Sequence, residues 1–296
     1  MSFKLNSNIS SYLILNLKSF LLNKSSITCL TGAGISTASG IPDYRGINGS
    51  YKKGHKPMIH HEFITSNNSR KRYWLRSMAG YKYLSNTNPS KGHYSLTKLQ
   101  ELGIIKNIIT QNVDNLHEKA QSKNILHLHG FIHDVKCLNC GNVTSRGDYQ
   151  KRLEEHNQSY VKFINDSQDI TQIRADGDLD LKTVDLTDFH SPTCTSCSDG
   201  IIKPDVVFFG DNVPIQVSTL ANEYVTNSDG LLIVGTSLEV YSAYRLVRKA
   251  CNDLKIPVAI LNQGITRAER EGLDIQFKSD DDLNELLDQT VQHLVH

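Results

Sequence analysis

Long hydrophobic runs are missing. No apolar stretch in the 296 residues reaches the roughly 18–20 residues that a membrane-spanning helix needs. Aromatics are sparse at 7%, with a single Trp, and are not interleaved with basic clusters, which argues against a nucleic-acid surface. Gly and Pro are few and show no period, so a collagen-like chain is excluded, and 39% hydrophobic residues exclude a disordered one. Six Cys are too few for a secreted scaffold built on disulfides. What is left is an ordinary soluble globular composition, long enough for one large domain, or one large and one small. Neither a membrane nor nucleic acid is expected as a direct partner.

Acid is also missing at the front. The first acidic residue is Asp43, and no Arg precedes Arg45. Residues 1–136 hold 18 Lys+Arg against 6 Asp+Glu, while residues 137–296 hold 14 against 25, so a net charge of +1 conceals +12 and −11. A basic front half fits the handling of anions, and drift of surface charge fits equally. An acid-free, Ser-rich N-terminus is reminiscent of a mitochondrial presequence, but those are Arg-rich. The favoured reading is an amphipathic helix over residues 10–23, which a very short presequence can still precede.

Short apolar runs alternate with amphipathic segments. Strands are expected at 26–31, 104–110, 126–129, 230–235 and 257–262, and helices at 60–85, 93–102, 241–253 and 281–294. This rhythm predicts a parallel α/β sheet. Residues 131–203 break it, with an Asp-rich polar interior at 154–190, and read as an inserted module.

Four motifs carry chemistry. Thr31-Gly32-Ala33-Gly34-Ile35-Ser36 follows a strand, where glycines let a backbone approach a pyrophosphate at a helix N-terminus. The dehydrogenase fingerprint fails here, because Thr37 stands at the third glycine and 52–56 carries no acidic ribose ligand. A plain tight turn is therefore also open. Cys137, Cys140, Cys194 and Cys197 form two C-x-x-C pairs separated by 53 residues. Two such knuckles complete a tetrahedral thiolate shell for a structural zinc, and two pairs argue against a lone redox dithiol. Thr110-Gln111-Asn112-Val113-Asp114 ends one strand and His127-Leu128-His129-Gly130 another. Ligands of open α/β sheets bind at such carboxyl ends, so His129 is a candidate base as well as a candidate structural residue.

Together these motifs resemble the sirtuin family. The matching pieces, in family order over about 28–264, are Gly32-Ala33-Gly34-Ile35-Ser36, Gly40-Ile41-Pro42-Asp43-Tyr44-Arg45, Thr110 to Asp114, His129-Gly130, the four cysteines, Lys203-Pro204-Asp205-Val206-Val207-Phe208-Phe209-Gly210, Gly235-Thr236-Ser237 and Leu261-Asn262. Arg72-Tyr73-Trp74, the long insert between the Cys pairs and Leu238-Glu239-Val240-Tyr241-Ser242 resemble the class II branch, which has a mitochondrial member in animals.

The resemblance implies a Rossmann-like NAD-binding domain (1–50, 93–130 and 204–296) and a smaller helical and zinc-binding module (51–92 and 131–203), with the active site between them. It implies NAD-dependent removal of acyl groups from the lysines of a protein or peptide. Residues 32–36 would hold the pyrophosphate, and Ile41, Pro42, Asp43, Tyr44 and Arg45 would form the cofactor loop. Gln111, Asn112 and Asp114 would hold the ribose and carboxamide while nicotinamide leaves. The acyl oxygen would attack the ribose, and His129 would be the general base. Gly235, Thr236, Ser237, Asn262, Gln263 and Gly264 would complete the NAD site. Val207, Phe208, Phe209 and Gly210, with residues 238–241 (Leu238 and Val240 foremost), would flank the peptide. Residues 278–283 look longer and more acidic than the branch, so no residue is assigned to cap the adenine.

Tyr73 and Arg76 stand three apart on a predicted helix and share a face. They resemble the Tyr-x-x-Arg pair that class III sirtuins use for acidic acyl groups, and an outward Arg beside a core Tyr is the alternative. Mono-ADP-ribosyl transfer to protein, and a non-catalytic NAD sensor or zinc scaffold, are the competing functions. Branch resemblance places the protein in the mitochondrial matrix, with cytoplasm or nucleus as alternatives.

Overall fold

The computed structural model describes residues 9–166, 174–176, 178 and 184–295. Part of the expected Asp-rich stretch and the start of the acid-free N-terminus lie outside them. The apolar runs form strands: β1 Ile27–Thr31, β2 Ile105–Thr110, β3 Ile125–His127, β4 Gly130–Cys137, β5 Val143–Ser145, β6 Ile202–Val206, β7 Gly230–Val234, β8 Val258–Leu261 and β9 Phe277–Ser279. Six of them make one parallel sheet in the order β3-β2-β1-β7-β8-β9. Cys29 at its centre is paired with Ile108 on one side and Leu232 on the other.

Alternate residues of these strands feed two cores, as the period of a strand requires. Cys29, Ile108, Leu232 and Ala259 face one, which the helices Ser11–Leu22 and Leu283–Val295 cover with Leu17, Leu21, Leu286 and Leu287. Leu30, Ile109, Ile233 and Ile260 face the other, covered by the helices at 215–226 and 241–248. The chain leaves β1 toward β2 and β3, then returns to place β7 on the opposite side of β1. That reversal opens a crevice at the carboxyl ends of β1 and β7, where ligands of such sheets bind.

β4, β5 and β6 form a separate antiparallel sheet, with Cys137 opposite Ile202. A third core joins it to the helix Asn67–Asn86 through Tyr73, Trp74, Tyr149, Phe208 and the cysteines Cys137 and Cys194. The expected single helix at 60–85 is two, because Ser66 ends the first in an extended conformation and its Oγ accepts from the Ser69 amide to cap the second. The helix starting at Tyr241 loosens into a π turn at Lys249–Leu254. The expected strand at 126–129 stops at His127, leaving Leu128 and His129 in the connection to β4.

Candidate active site

The turn after β1 meets the turn after β7. The Gly34 amide donates to the Gly235 carbonyl at 2.8 Å, and the Gly32 amide to that of Val234 at 3.0 Å. The contact leaves no room for side chains. A Cβ on Gly34 would stand 2.7 Å from the Gly235 Cα, and one on Gly235, at φ +65°, 2.5 Å from the Ile35 amide. The glycines thus serve the join of two strands as well as a ligand's approach. From Ala33 the chain runs into a short 3-10 helix, Ala33–Ser39, whose Gly34 and Ile35 amides are taken up by the Gly235 and Gly32 carbonyls.

Beyond this join lies a cavity of about 600 Å³, within the usual range for a small-molecule site. It is lined by Gly32, Ala33, Gly34, Asp43, Tyr44, Arg45, Gln111, Asn112 and His129. Val207 to Gly210, Gly235, Thr236, Ser237, Val240, Asn262, Gln263 and Gly264 line it too. Ser36, Ile41 and Asp114 line a small adjoining cavity. Ile35 is fully buried and packs in the core beneath the turn. Pro42 is half-buried in the loop between Ile41 and Asp43.

Polar groups at the strand ends are tied together. Gln111 Nε2 donates to Thr236 Oγ1 at 3.0 Å. Asn112 Nδ2 donates to the Gly32 carbonyl at 3.2 Å and to Ser36 Oγ at 3.1 Å. Ser36 in turn donates to Asp114 Oδ2 at 2.6 Å, and the Leu116 amide to Asp114 Oδ1 at 3.1 Å. Burial raises the Asp114 carboxyl above its ordinary range, against the pull of those two donors. In the loop, Asp43 Oδ1 accepts from the Gly46 amide at 2.8 Å, and the Arg45 guanidinium lies over the Tyr51 ring at 5.1 Å.

His129 enters the cavity between two partners. Nδ1 is 3.2 Å from the Gln111 carbonyl oxygen and Nε2 is 2.8 Å from Ser242 Oγ. A carbonyl only accepts, so Nδ1 carries the proton and Nε2 holds a lone pair. Burial pushes the imidazole down to about 4, partly opposed by the Gln111 carbonyl. The ring is therefore neutral at pH 7, with its basic nitrogen among the cavity-lining groups.

Four candidates line neither cavity: Ile35, Pro42, Leu238 and Arg76. Leu238 is fully buried in the core beneath β7, while its neighbours Glu239 and Val240 line the cavity. Arg76 is not among the lining residues. Its Nε is 3.5 Å from Asp178 Oδ2, in the insert. Tyr73 does line the cavity and packs on Phe63, Trp74 and Phe208. Glu239 and Tyr241, of the expected peptide-flanking stretch, line it as well, while sequence reasoning missed Tyr51, Met58 and Asp176. Ser242 reads in the sequence only as a mark of a branch. Asp280, in the unassigned acidic stretch, accepts from the Gly264 amide at 2.8 Å and so pins the cavity rim.

The sulfur atoms of Cys137, Cys140, Cys194 and Cys197 lie within 4.8 Å of one another, with Cys137–Cys197 at 3.6 Å and Cys140–Cys194 at 3.7 Å. Four thiolates about 2.3 Å from a zinc ion stand about 3.8 Å apart in a tetrahedron, so the set fits zinc. The Ser196 amide points at Cys194 Sγ, 3.3 Å away, as thiolate charge requires.

The Sir2 family model matches residues 32–242. The chain belongs to the Sir2 family. Among its relatives is the NAD-dependent protein deacylase Sirt4 of Drosophila melanogaster, 42% identical over 279 residues, 93% of this chain and 86% of that protein. The NAD-dependent protein lipoamidase sirtuin-4, mitochondrial, of Bos taurus is 40% identical over 86% of this chain and 78% of its own. A Sir2 structure with a deacetylated p53 peptide and 3′-O-acetyl ADP-ribose matches at a TM-score of 0.73 and 28% identity, covering 95% of this chain and 98% of that one. A Sir2 structure bound to a propionylated peptide matches at 0.70 and 26%, with the same coverage.

The cavity depends on the join of β1 and β7. Gly235→Ala is expected to cost about 1–2 kcal/mol through its left-handed backbone alone, before the collision with Ile35 is counted. Thermal unfolding and calorimetric titration with NAD check it, the expected result being a lower melting temperature and at least tenfold weaker NAD binding.

Proposed function

We propose that this sirtuin transfers the acyl group of acyl-lysine to ADP-ribose, with His129 as the general base. The activity itself, NAD-dependent protein deacylation, follows from family membership and from relatives that carry it. One observation carries the residue assignment. The cavity is lined by an imidazole that burial keeps neutral, with its lone pair on Nε2, beside the glycine turn and the polar strand ends. In this reading Gly32, Ala33, Gly34, Ile35 and Ser36, with Gly235, Thr236 and Ser237, hold the pyrophosphate and its ribose. Ile41, Pro42, Asp43, Tyr44 and Arg45 cover the nicotinamide end. Gln111, Asn112 and Asp114 orient the ribose and carboxamide, and Asn262, Gln263 and Gly264 border the adenosine. Nicotinamide leaves as the acyl oxygen attacks the ribose. His129 Nε2 then accepts the proton of a ribose hydroxyl, which attacks the acyl carbon, and water adds as the lysine amine leaves, giving O-acyl-ADP-ribose and free lysine. Bound zinc orders the four-cysteine knuckle and takes no part in these steps.

The cavity would lie between a larger unit (1–50, 93–130 and 204–296) and a smaller one (51–92 and 131–203). Val207 to Gly210 and Leu238 to Val240 would bracket the peptide as neighbouring strands, a recognition mode with little demand on sequence. The test is a panel of acyl-lysine peptides with NAD, following nicotinamide release and O-acyl-ADP-ribose by mass. Nicotinamide release with ADP-ribose on protein, and no O-acyl product, would establish mono-ADP-ribosyl transfer instead.

For acyl choice, Tyr73 and Arg76 would admit acidic chains. Arg76 is engaged by Asp178, which burial beside Asp176 pushes up to about 8 despite Arg76 and Arg174. A neutral Asp178 holds Arg76 weakly, leaving the guanidinium for an acyl carboxylate behind Tyr73. Arg76→Ala is expected to lower removal of succinyl and methylglutaryl groups about tenfold or more against acetyl, since a charged hydrogen bond contributes about 1.5–3 kcal/mol. No loss of succinyl and methylglutaryl removal in that variant would sink the idea. A mitochondrial location rests on the name of the Bos taurus relative. Imaging a C-terminal fluorescent fusion, with and without residues 1–24, tests it.

A further inference from the structure

His129 is gripped at both ring nitrogens by elements far apart in the chain. The Gln111 carbonyl, past the end of β2, accepts from Nδ1, and Ser242 Oγ lies 2.8 Å from Nε2. Because Nδ1 carries the proton, the Ser242 hydroxyl is the donor to Nε2. Ser242 stands in the first turn of the helix Tyr241–Arg248, where a hydroxyl commonly serves the helix's own backbone. Here it does not. That helix end has no side-chain cap, and among the described residues the one partner of Ser242 Oγ is the imidazole. Ser242 also lines the cavity. Its hydroxyl occupies the atom that has to take the proton.

We infer that Ser242 is a positioning residue for His129, fixing the rotation of the imidazole and keeping Nε2 a directed lone pair until the ribose hydroxyl replaces it. The inference rests on the reading of His129 as the base. The Gln111 contact alone fixes which nitrogen is protonated but leaves the ring free to turn about its own axis. A second contact, on the opposite nitrogen, removes that freedom. Hydrogen-bond donation to Nε2 also favours the neutral ring over the cation. Other charged groups do not share this task. Asp43, Arg45, Asp176, Asp211 and Glu239 line the same cavity, yet the downward shift of His129 arises from burial and is opposed by the Gln111 carbonyl, with no part for these charges.

The test compares Ser242→Ala and Ser242→Thr in the full-length protein. Losing one neutral hydrogen bond corresponds to about three- to tenfold, so Ser242→Ala is expected to lower kcat for deacylation by that factor. KM for NAD and nicotinamide exchange, which reports the step before the base acts, are expected to hold. The His129 imidazole, followed by NMR titration, is expected to titrate higher by a few tenths to about one pH unit. Ser242→Thr keeps a hydroxyl and is expected to restore both. In a His129→Ala background, Ser242→Ala is expected to change nothing further. Wild-type kcat and an unmoved imidazole titration in Ser242→Ala would overturn the inference. So would exchange and deacylation falling together, since that marks general damage to the fold. If His129→Ala itself still deacylates, the assignment of the base fails, and this is visible separately from the Ser242 result.

Discussion

His129→Ala is expected to lower deacylation by about 10²–10⁴-fold, the usual contribution of a positioned general base. The protein should still fold and keep its zinc. Among the described residues the imidazole hydrogen-bonds a carbonyl and a hydroxyl at the cavity wall and is no part of the apolar cores beneath the sheet. The chain has 12 His, and the structure separates this one from its neighbours. His93 bonds Ser90 at the start of its own helix, and His117 bonds Thr31 inside the sheet. Both are fully buried, and neither lines the cavity. Burial also lowers both, His93 to about 3, so a depressed imidazole alone does not mark a base.

The pH profile carries the sign of that assignment. A base works when neutral. With His129 pushed down to about 4 by burial, the acid limb of kcat/KM for the free enzyme should fall well below the ordinary histidine value near 6.5. Activity measured over short times should therefore persist from pH 7 to pH 5 and fall toward pH 4. An acid limb centred at 6.5 would mean an exposed, unshifted imidazole. Peptide deacylation by mass spectrometry, with melting temperature and zinc content of His129→Ala measured in parallel, checks both statements.

The sheet was legible because its strands are buried on both faces. The run 230–234 carries no polar side chain, 27–31 carries only Thr28 and Thr31 among apolar ones, and each is followed by glycine. β9 was not legible. Its three residues, Phe277, Lys278 and Ser279, form an edge with no apolar run, and only pairing with β8 defines it. The site was legible where adjacent residues act together, as in Gln111 to Asp114 and Gly32 to Ser36. It was not legible where a side chain is spoken for by a distant one. The spacing of Tyr73 and Arg76 on one helix is visible in the sequence, but Asp178, which meets Arg76 across 102 positions, is not. Leu238 sits between two cavity-lining neighbours, yet a left-handed backbone at φ +61° turns it into the core. Ser242 reads as an ordinary helical serine until His129, 113 residues away, is brought beside it.

Removal of zinc is expected to abolish deacylation, although no cysteine lines the cavity. Cys137 and Cys194 belong to the same core as Trp74, Tyr149, Phe208 and Tyr73. Tyr73 and Phe208 form part of the cavity wall. Loss of the metal therefore reaches the substrate side through packing. A structural zinc site contributes apparent binding free energy of about 10–16 kcal/mol, as large as the whole stability of a typical domain. A chelator, or Cys194→Ser, should release the zinc and erase the near-UV signal of Trp74. Much of the far-UV signal of the parallel sheet and its helices should remain. Gly200→Ala should act in the same direction without touching a ligand. A Cβ there would stand 2.3 Å from Cys137 Sγ and 2.7 Å from Cys197 Sγ, so the knuckle cannot close around a metal. Zinc content by atomic absorption, read beside activity, is decisive. Metal-free protein that keeps full deacylation and its near-UV spectrum would separate the four cysteines from the cavity. Coincident loss of zinc, aromatic signal and activity would join them.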